Sequence, residues 1–159
     1  MPEAIMKKQE EEVDQIQYVV FSLGVEEYGL PIELAKEIIK PTKITPVPNT
    51  EEYVPGVINL RGQIIPVVDL YKRFSLGEET EREREKIIIV EIEDTMIGLM
   101  VDKVREIVWI AEETIDDPPE VVGGIKQEFL KGVGTLDEQL LIIIDINKTL
   151  FDEEELQQA

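Results

Sequence analysis

The sequence predicts a mainly β protein of two small five-stranded barrels related by internal duplication, with a short helix at the C-terminus. Three observations carry this. Its apolar runs are short and bounded by Gly, Pro and charged turn residues, the signature of strands joined by tight connections. A highly charged break, SLGEETEREREK over residues 75–86, separates two such sets. The second set also repeats the first. Residues 28–39 laid over 97–108, an offset of 69, match Gly29 with Gly98, Leu30 with Leu99, Glu37 with Glu106 and Ile38 with Ile107. Residues 56–72 over 132–148, an offset of 76, pair Gly56 with Gly132, Leu60 with Leu136, Gln63 with Gln139 and Asp69 with Asp145. Both alignments run in the same order, as internal duplication produces.

Residues 1–15 are polar and acidic without clean periodicity and are expected to form a flexible N-terminal arm, leaving 16–159 as the folded domain. Order is expected from about Gln17. The run QYVVFSLG alternates weakly, Gly24 with Glu26 and Glu27 reads as a turn, and EYGLPI resumes as a strand, so the first element is a hairpin. The stretch IELAKEIIK has helical spacing, but its β-branched residues and the prolines on either side, Pro31 and Pro41, favour an extended segment entered by a tight turn. TPVPNT is loop, EEYVPG a turn, and GVINLRGQIIPVVDL two strands around Arg61 and Gly62, the strongest local signal in the chain. After the charged break come KIIIVEIED, MIGLMVD and KVREIVWI as further strands. In the tail NKTLFDEEELQQ, Asn147 is the expected N-cap of a helix carrying Leu150, Phe151 and Leu156.

A set of about five short strands avoids exposed edges best by closing into a barrel. The first barrel is expected over about 28–75 and the second over about 86–146, with the N-terminal strand and C-terminal helix closing across them. Each alone has a thin core, so the two are expected to share an apolar contact, with the groove between them a natural binding place.

Composition narrows function. The chain has 159 residues, 43% hydrophobic, with 16 basic and 35 acidic side chains and a formal net charge of −19. That charge opposes the counterion-release attraction behind nucleic-acid affinity and is repelled by anionic lipid. No apolar run approaches the roughly 20 residues of a membrane-spanning helix, and the start of the chain lacks the form of a secretory or transit signal, so a cytoplasmic protein is expected. With no cysteine and no histidine, disulfides, thiolate nucleophiles, Cys/His zinc sites and His-based triads are excluded. Carboxylate pairs are too abundant to signal chemistry. No catalytic residue, metal site or cofactor is expected.

The duplication also serves as an internal control. The first hairpin tip reads Asn59-Leu60-Arg61-Gly62 and its counterpart Thr135-Leu136-Asp137-Glu138, so the scaffold does not require Arg61. A guanidinium with five donors there suits carboxylates or carbonyls of a partner as well as it suits solvent. In the segment Ile32 to Ile39 most apolar residues are expected to pack inward, with Ala35 and Glu37 facing outward at an edge. Trp109 is read as buried packing. Asp69 and Asp145 occupy equivalent positions at strand ends, which favours a structural turn role over a phosphate-accepting or metal-binding one.

The run ITPVPNTEEYVPGVINLRGQIIPVVDL, preceded by EEYGLPIELAKEII and followed by IGLMVDKVREIVWI, closely resembles the CheW coupling proteins of bacterial chemotaxis, over about residues 17–150. The same domain occurs in the kinase CheA and in CheV; the absence of kinase or receiver segments here favours a free-standing adaptor. The resemblance implies paired SH3-like five-stranded barrels. It also implies two partners, the regulatory domain of the histidine kinase CheA and the cytoplasmic tip of a chemoreceptor (methyl-accepting chemotaxis protein), with recruitment to membrane-bound receptor arrays. By this resemblance Asn59, Leu60, Arg61 and Gly62 match the receptor-binding turn. Ile32, Ala35, Glu37 and Ile38 match the kinase-facing strand, where Ala35 is smaller than the β-branched residue often found. The alternatives are a carboxylate-based enzyme, a phosphate-accepting receiver, which needs alternating strands and helices that this sequence lacks, and a generic acidic protein-binding module.

Overall fold

A computed structural model of the chain describes residues 15–77 and 84–151. The expected arm over 1–14, the middle of the charged break and the tail with Leu156 lie outside the described residues; Gln15 already belongs to the first strand. In chain order the strands are β1 (Gln15–Leu23), β2 (Glu26–Pro31), β3 (Ala35–Ile39), β4 (Gly56–Leu60), β5 (Gln63–Asp69), β6 (Lys86–Ile92), β7 (Thr95–Val101), β8 (Lys103–Ala111), β9 (Val121–Val122), β10 (Ile125–Lys126), β11 (Leu130–Leu136) and β12 (Gln139–Ile144). Among the described residues two short helices, α1 (Leu70–Arg73) and α2 (Ile146–Leu150), each follow a hairpin.

Several tight hairpins form where two consecutive residues adopt positive φ, matching the right-handed twist of the strands they join. Arg61 and Gly62 connect β4 to β5, Glu93 and Asp94 connect β6 to β7, and Asp137 and Glu138 connect β11 to β12. The IELAKEIIK segment is extended as expected: a single 3-10 turn at Ile32–Leu34 leads into β3. Asp69 caps α1, its carboxylate accepting from the Tyr71 and Lys72 amides, and Asp145 caps α2, accepting from Lys148. Asp145 therefore takes the capping role expected of Asn147, which lies inside the helix. The signal was present in the duplication, since Asp69 and Asp145 align. α1 was not anticipated; four residues are too few to show helical periodicity.

The strands assemble into two five-stranded sheets, ordered β3-β6-β7-β5-β4 and β11-β12-β2-β1-β8. Each closes on itself through one bridge beyond its edge strand. Thr45, downstream of β3, exchanges both backbone hydrogen bonds with Val57 of β4, and Asp116, downstream of β8, does so with Val133 of β11. These are the two barrels, but they are not contiguous blocks of chain. The boundaries expected at 28–75 and 86–146 do not hold, because the repeats exchange their first hairpins. β1 and β2 complete the barrel of β8, β11 and β12, while β6 and β7 complete the barrel of β3, β4 and β5. The exchange is symmetric to the residue: in the parallel pairs, Val67 lies opposite Gly98 and its counterpart Ile143 opposite Gly29. Turn signals and periodicity specify hairpins; they do not specify which hairpins join through parallel pairing.

The exchange dictates where apolar surface is buried. Each barrel interior is small: Tyr18, Val20, Ile110, Leu141 and Ile143 fill one, and Ile58, Ile65, Val67, Ile87 and Ile89 the other. The largest cluster lies on the opposite faces of the same strands, with Val19, Phe21, Tyr28 and Leu30 meeting Val68, Ile88, Val90 and Leu99 from the other sheet. Strands buried on both faces read as continuous apolar runs, which explains why QYVVFSL and KIIIVEI alternate poorly.

Candidate functional site

Strand β3 is an edge of its sheet, and the barrel curves until that edge approaches the tip of the β4-β5 hairpin at the opposite end of the strand order. There Arg61 and Glu37 meet. Arg61 Nη1 donates to Glu37 Oε1 at 3.0 Å and Nη2 to Oε2 at 2.5 Å, a two-pronged contact between residues assigned to different partners by the family resemblance. The Arg61 side chain is 70% exposed and that of Glu37 34%. The hydrogen bonds from the guanidinium hold the Glu37 carboxyl below its ordinary range, and the same bonds raise the Arg61 pKa.

Asn59 has a positioning task. Its side-chain carbonyl accepts from the Gly62 amide at 2.8 Å, bracing the turn that presents Arg61. Gly62 has φ +88, with open space where a Cβ would stand. Leu60 is half-buried and packs on the barrel interior beside Ile58 and Ile65. On the other side of the site, Ile32 and Ala35 pack on the shared core, leaving Glu37 half-exposed and Ile38 exposed. The arrangement brings Asn59, Arg61, Gly62 and Glu37 onto one surface and sends Leu60 and Ile32 largely inward; Ala35, expected to face outward with Glu37, also packs on the shared core from the edge strand.

Sequence reasoning missed Ile64, 61% exposed and opposite Asn59 across the hairpin. Its counterpart Leu140 is also exposed. The reading of Trp109 as buried packing is overturned: it is 54% exposed beside exposed Ile107 on β8, the edge strand of the other sheet. An edge strand has a sheet neighbour on one side only, and that context was invisible in the sequence. Asp102 accepts from the Gly24 amide at 2.7 Å and braces the β1-β2 turn. Among the described residues no group of three or more Asp, Glu, His or Cys is placed to hold a metal ion, and no helix is long and apolar enough to cross a membrane.

The family model of the CheW-like domain matches residues 17–154. The chain belongs to the CheW-like domain family. The chemotaxis protein CheW of Treponema pallidum is 38% identical over 149 residues, covering 91% of this chain and 87% of that protein. The chemotaxis protein CheW of Bacillus subtilis is 36% identical over 141 residues, 89% of this chain and 90% of the relative. Among solved structures, the scaffolding protein TtCheW of Thermoanaerobacter tengcongensis is similar with a TM-score of 0.79 and 42% identity, over 87% of this chain and 89% of that one. The two SH3-like barrels are thus the architecture of a CheW-like domain.

Proposed function

We propose that this protein is a non-catalytic cytoplasmic adaptor of chemotaxis, coupling chemoreceptors to the histidine kinase CheA within membrane-bound receptor arrays. The observation that carries the reading is the placement of Arg61. A rigid two-residue turn braced by Asn59 displays this guanidinium, and the scaffold accepts Asp137 at the matching place in the other barrel. Arginine presented in this way suits carbonyls and carboxylates at the tip of a receptor hairpin. The kinase regulatory domain takes the β3 edge, through Glu37 and Ile38, with Ile32 and Ala35 supporting that strand from beneath. The net charge of −19 disfavours nucleic acid as a competing partner.

Because Arg61 and Glu37 are bonded to each other, changing one alters the other's surroundings, and the two partners need separate measurements. The test is reconstitution of receptor, kinase and this protein, with co-sedimentation and kinase activity as readouts. Arg61→Ala is expected to weaken receptor binding about thirtyfold, the loss of an interface arginine worth about 2 kcal/mol, with the melting temperature near that of the parent. Glu37→Gln is expected to weaken binding of the isolated kinase regulatory domain. Receptor affinity unchanged in Arg61→Ala would remove this turn from the receptor site.

A further inference from the structure

The two barrels meet through an apolar core, which is non-directional, and through the crossovers that carry β2 into β3 and β7 into β8. A polar side chain also makes a directed contact between them. Arg73, the last residue of α1, places its guanidinium carbon 4.6 Å from the ring centroid of Tyr53 and 4.6 Å from that of Phe129. Its Nε donates to the Thr149 carbonyl of α2 at 2.5 Å. Tyr53 leads into β4 of one barrel and Phe129 into β11 of the other.

These partners are related by the duplication. At the offset of 76, Tyr53 corresponds to Phe129 and Arg73 to Thr149. The correspondence is structural too: the Tyr53 carbonyl accepts from the Asp69 amide, as the Phe129 carbonyl does from Asp145. The guanidinium therefore lies between two equivalent rings and bonds the residue equivalent to its own. The second copy carries no cation there, so the repeat itself does not require one.

We propose that Arg73 is a positioning residue that fixes the setting of one barrel against the other and so shapes the groove between the barrels, which takes part in receptor binding alongside the Arg61 turn. The receptor clause rests on the function proposed above; the setting of the barrels does not. A planar cation held by two rings and a carbonyl resists rotation in a way that greasy contact does not.

The chain has no cysteine, so two introduced cysteines can be spin-labelled without background. Labels at the exposed turn residues Glu93, in one barrel, and Asp137, in the other, report the distance between barrels by pulsed electron spin resonance on the full chain. The unsubstituted Arg73 protein is expected to give a narrow distribution, Arg73→Ala a clearly broadened or shifted one, and Arg73→Lys an intermediate one. Tyr53→Leu, which removes one ring and no charge, is expected to broaden it as well and serves where Arg73→Ala does not fold. Receptor-tip affinity is expected to fall about tenfold in Arg73→Ala and to recover partly in Arg73→Lys, while affinity for the kinase regulatory domain stays at the parent value. Unchanged distance distributions in Arg73→Ala and Tyr53→Leu would overturn the positioning role. Broadened distributions with full receptor affinity would overturn its link to the receptor. If Arg61→Ala binds receptor normally while the distributions broaden, the receptor assignment fails and the positioning role stands.

Discussion

Arg61 and Glu37 behave as one unit, and their titration exposes it. The Arg61 guanidinium lowers the Glu37 pKa, so the pair's contribution is complete above the ordinary glutamate range and is lost as the pH falls through the lowered value. Carboxyl NMR is expected to show Glu37 titrating below an ordinary glutamate in the parent and at an ordinary value in Arg61→Ala. Tyr28 gives a second residue-scale test. Its ring is fully buried against Phe21 and Phe74, its hydroxyl has no hydrogen-bond partner among the described residues, and burial raises its pKa. Tyr28→Phe is expected to hold or raise stability, by up to about 1 kcal/mol in urea unfolding, because an unsatisfied buried hydroxyl is removed. Arg61 was legible in the sequence because the second repeat carries Asp137 in its place. Its bond to Glu37 was not, since the contact spans 24 residues and exists only because the barrel closes.

Among the elements, closure depends on two glycines. A Cβ on Gly56 would stand 2.1 Å from the Thr45 carbonyl oxygen, and one on Gly132 would stand 2.5 Å from the Ile115 side chain and 2.8 Å from the Asp116 carbonyl oxygen. These are equivalent residues beside equivalent bridges. Gly56→Ala and Gly132→Ala are each expected to cost about 3 kcal/mol in chemical denaturation, whereas Ala at the open Gly62 position meets no atom and pays only for its positive φ. The alignment of Gly56 with Gly132 marked both positions in the sequence. Their reason, a carbonyl crossing directly above, needed the closed barrel.

For the whole molecule, the exchange of hairpins makes the repeats interdependent. Residues 1–80 lack β6 and β7, which complete the first barrel, and residues 81–159 lack β1 and β2, which complete the second. Produced separately, each half is expected to be largely unfolded by circular dichroism and amide exchange, while an equimolar mixture recovers β structure as a one-to-one complex. Halves that fold independently would contradict the exchanged topology.

The sequence by itself determined the strands, the tight turns, the duplication and the oddity of Arg61, because these follow from side-chain periodicity, turn chemistry and comparison of one repeat with the other. Only the tertiary structure decided which hairpins pair, that most of the core lies between the barrels, that Trp109 is exposed, and that Arg61 meets Glu37. Those outcomes depend on parallel pairing and sheet closure between distant residues, and a local pattern of apolar and polar side chains is the same whichever partner strand lies alongside.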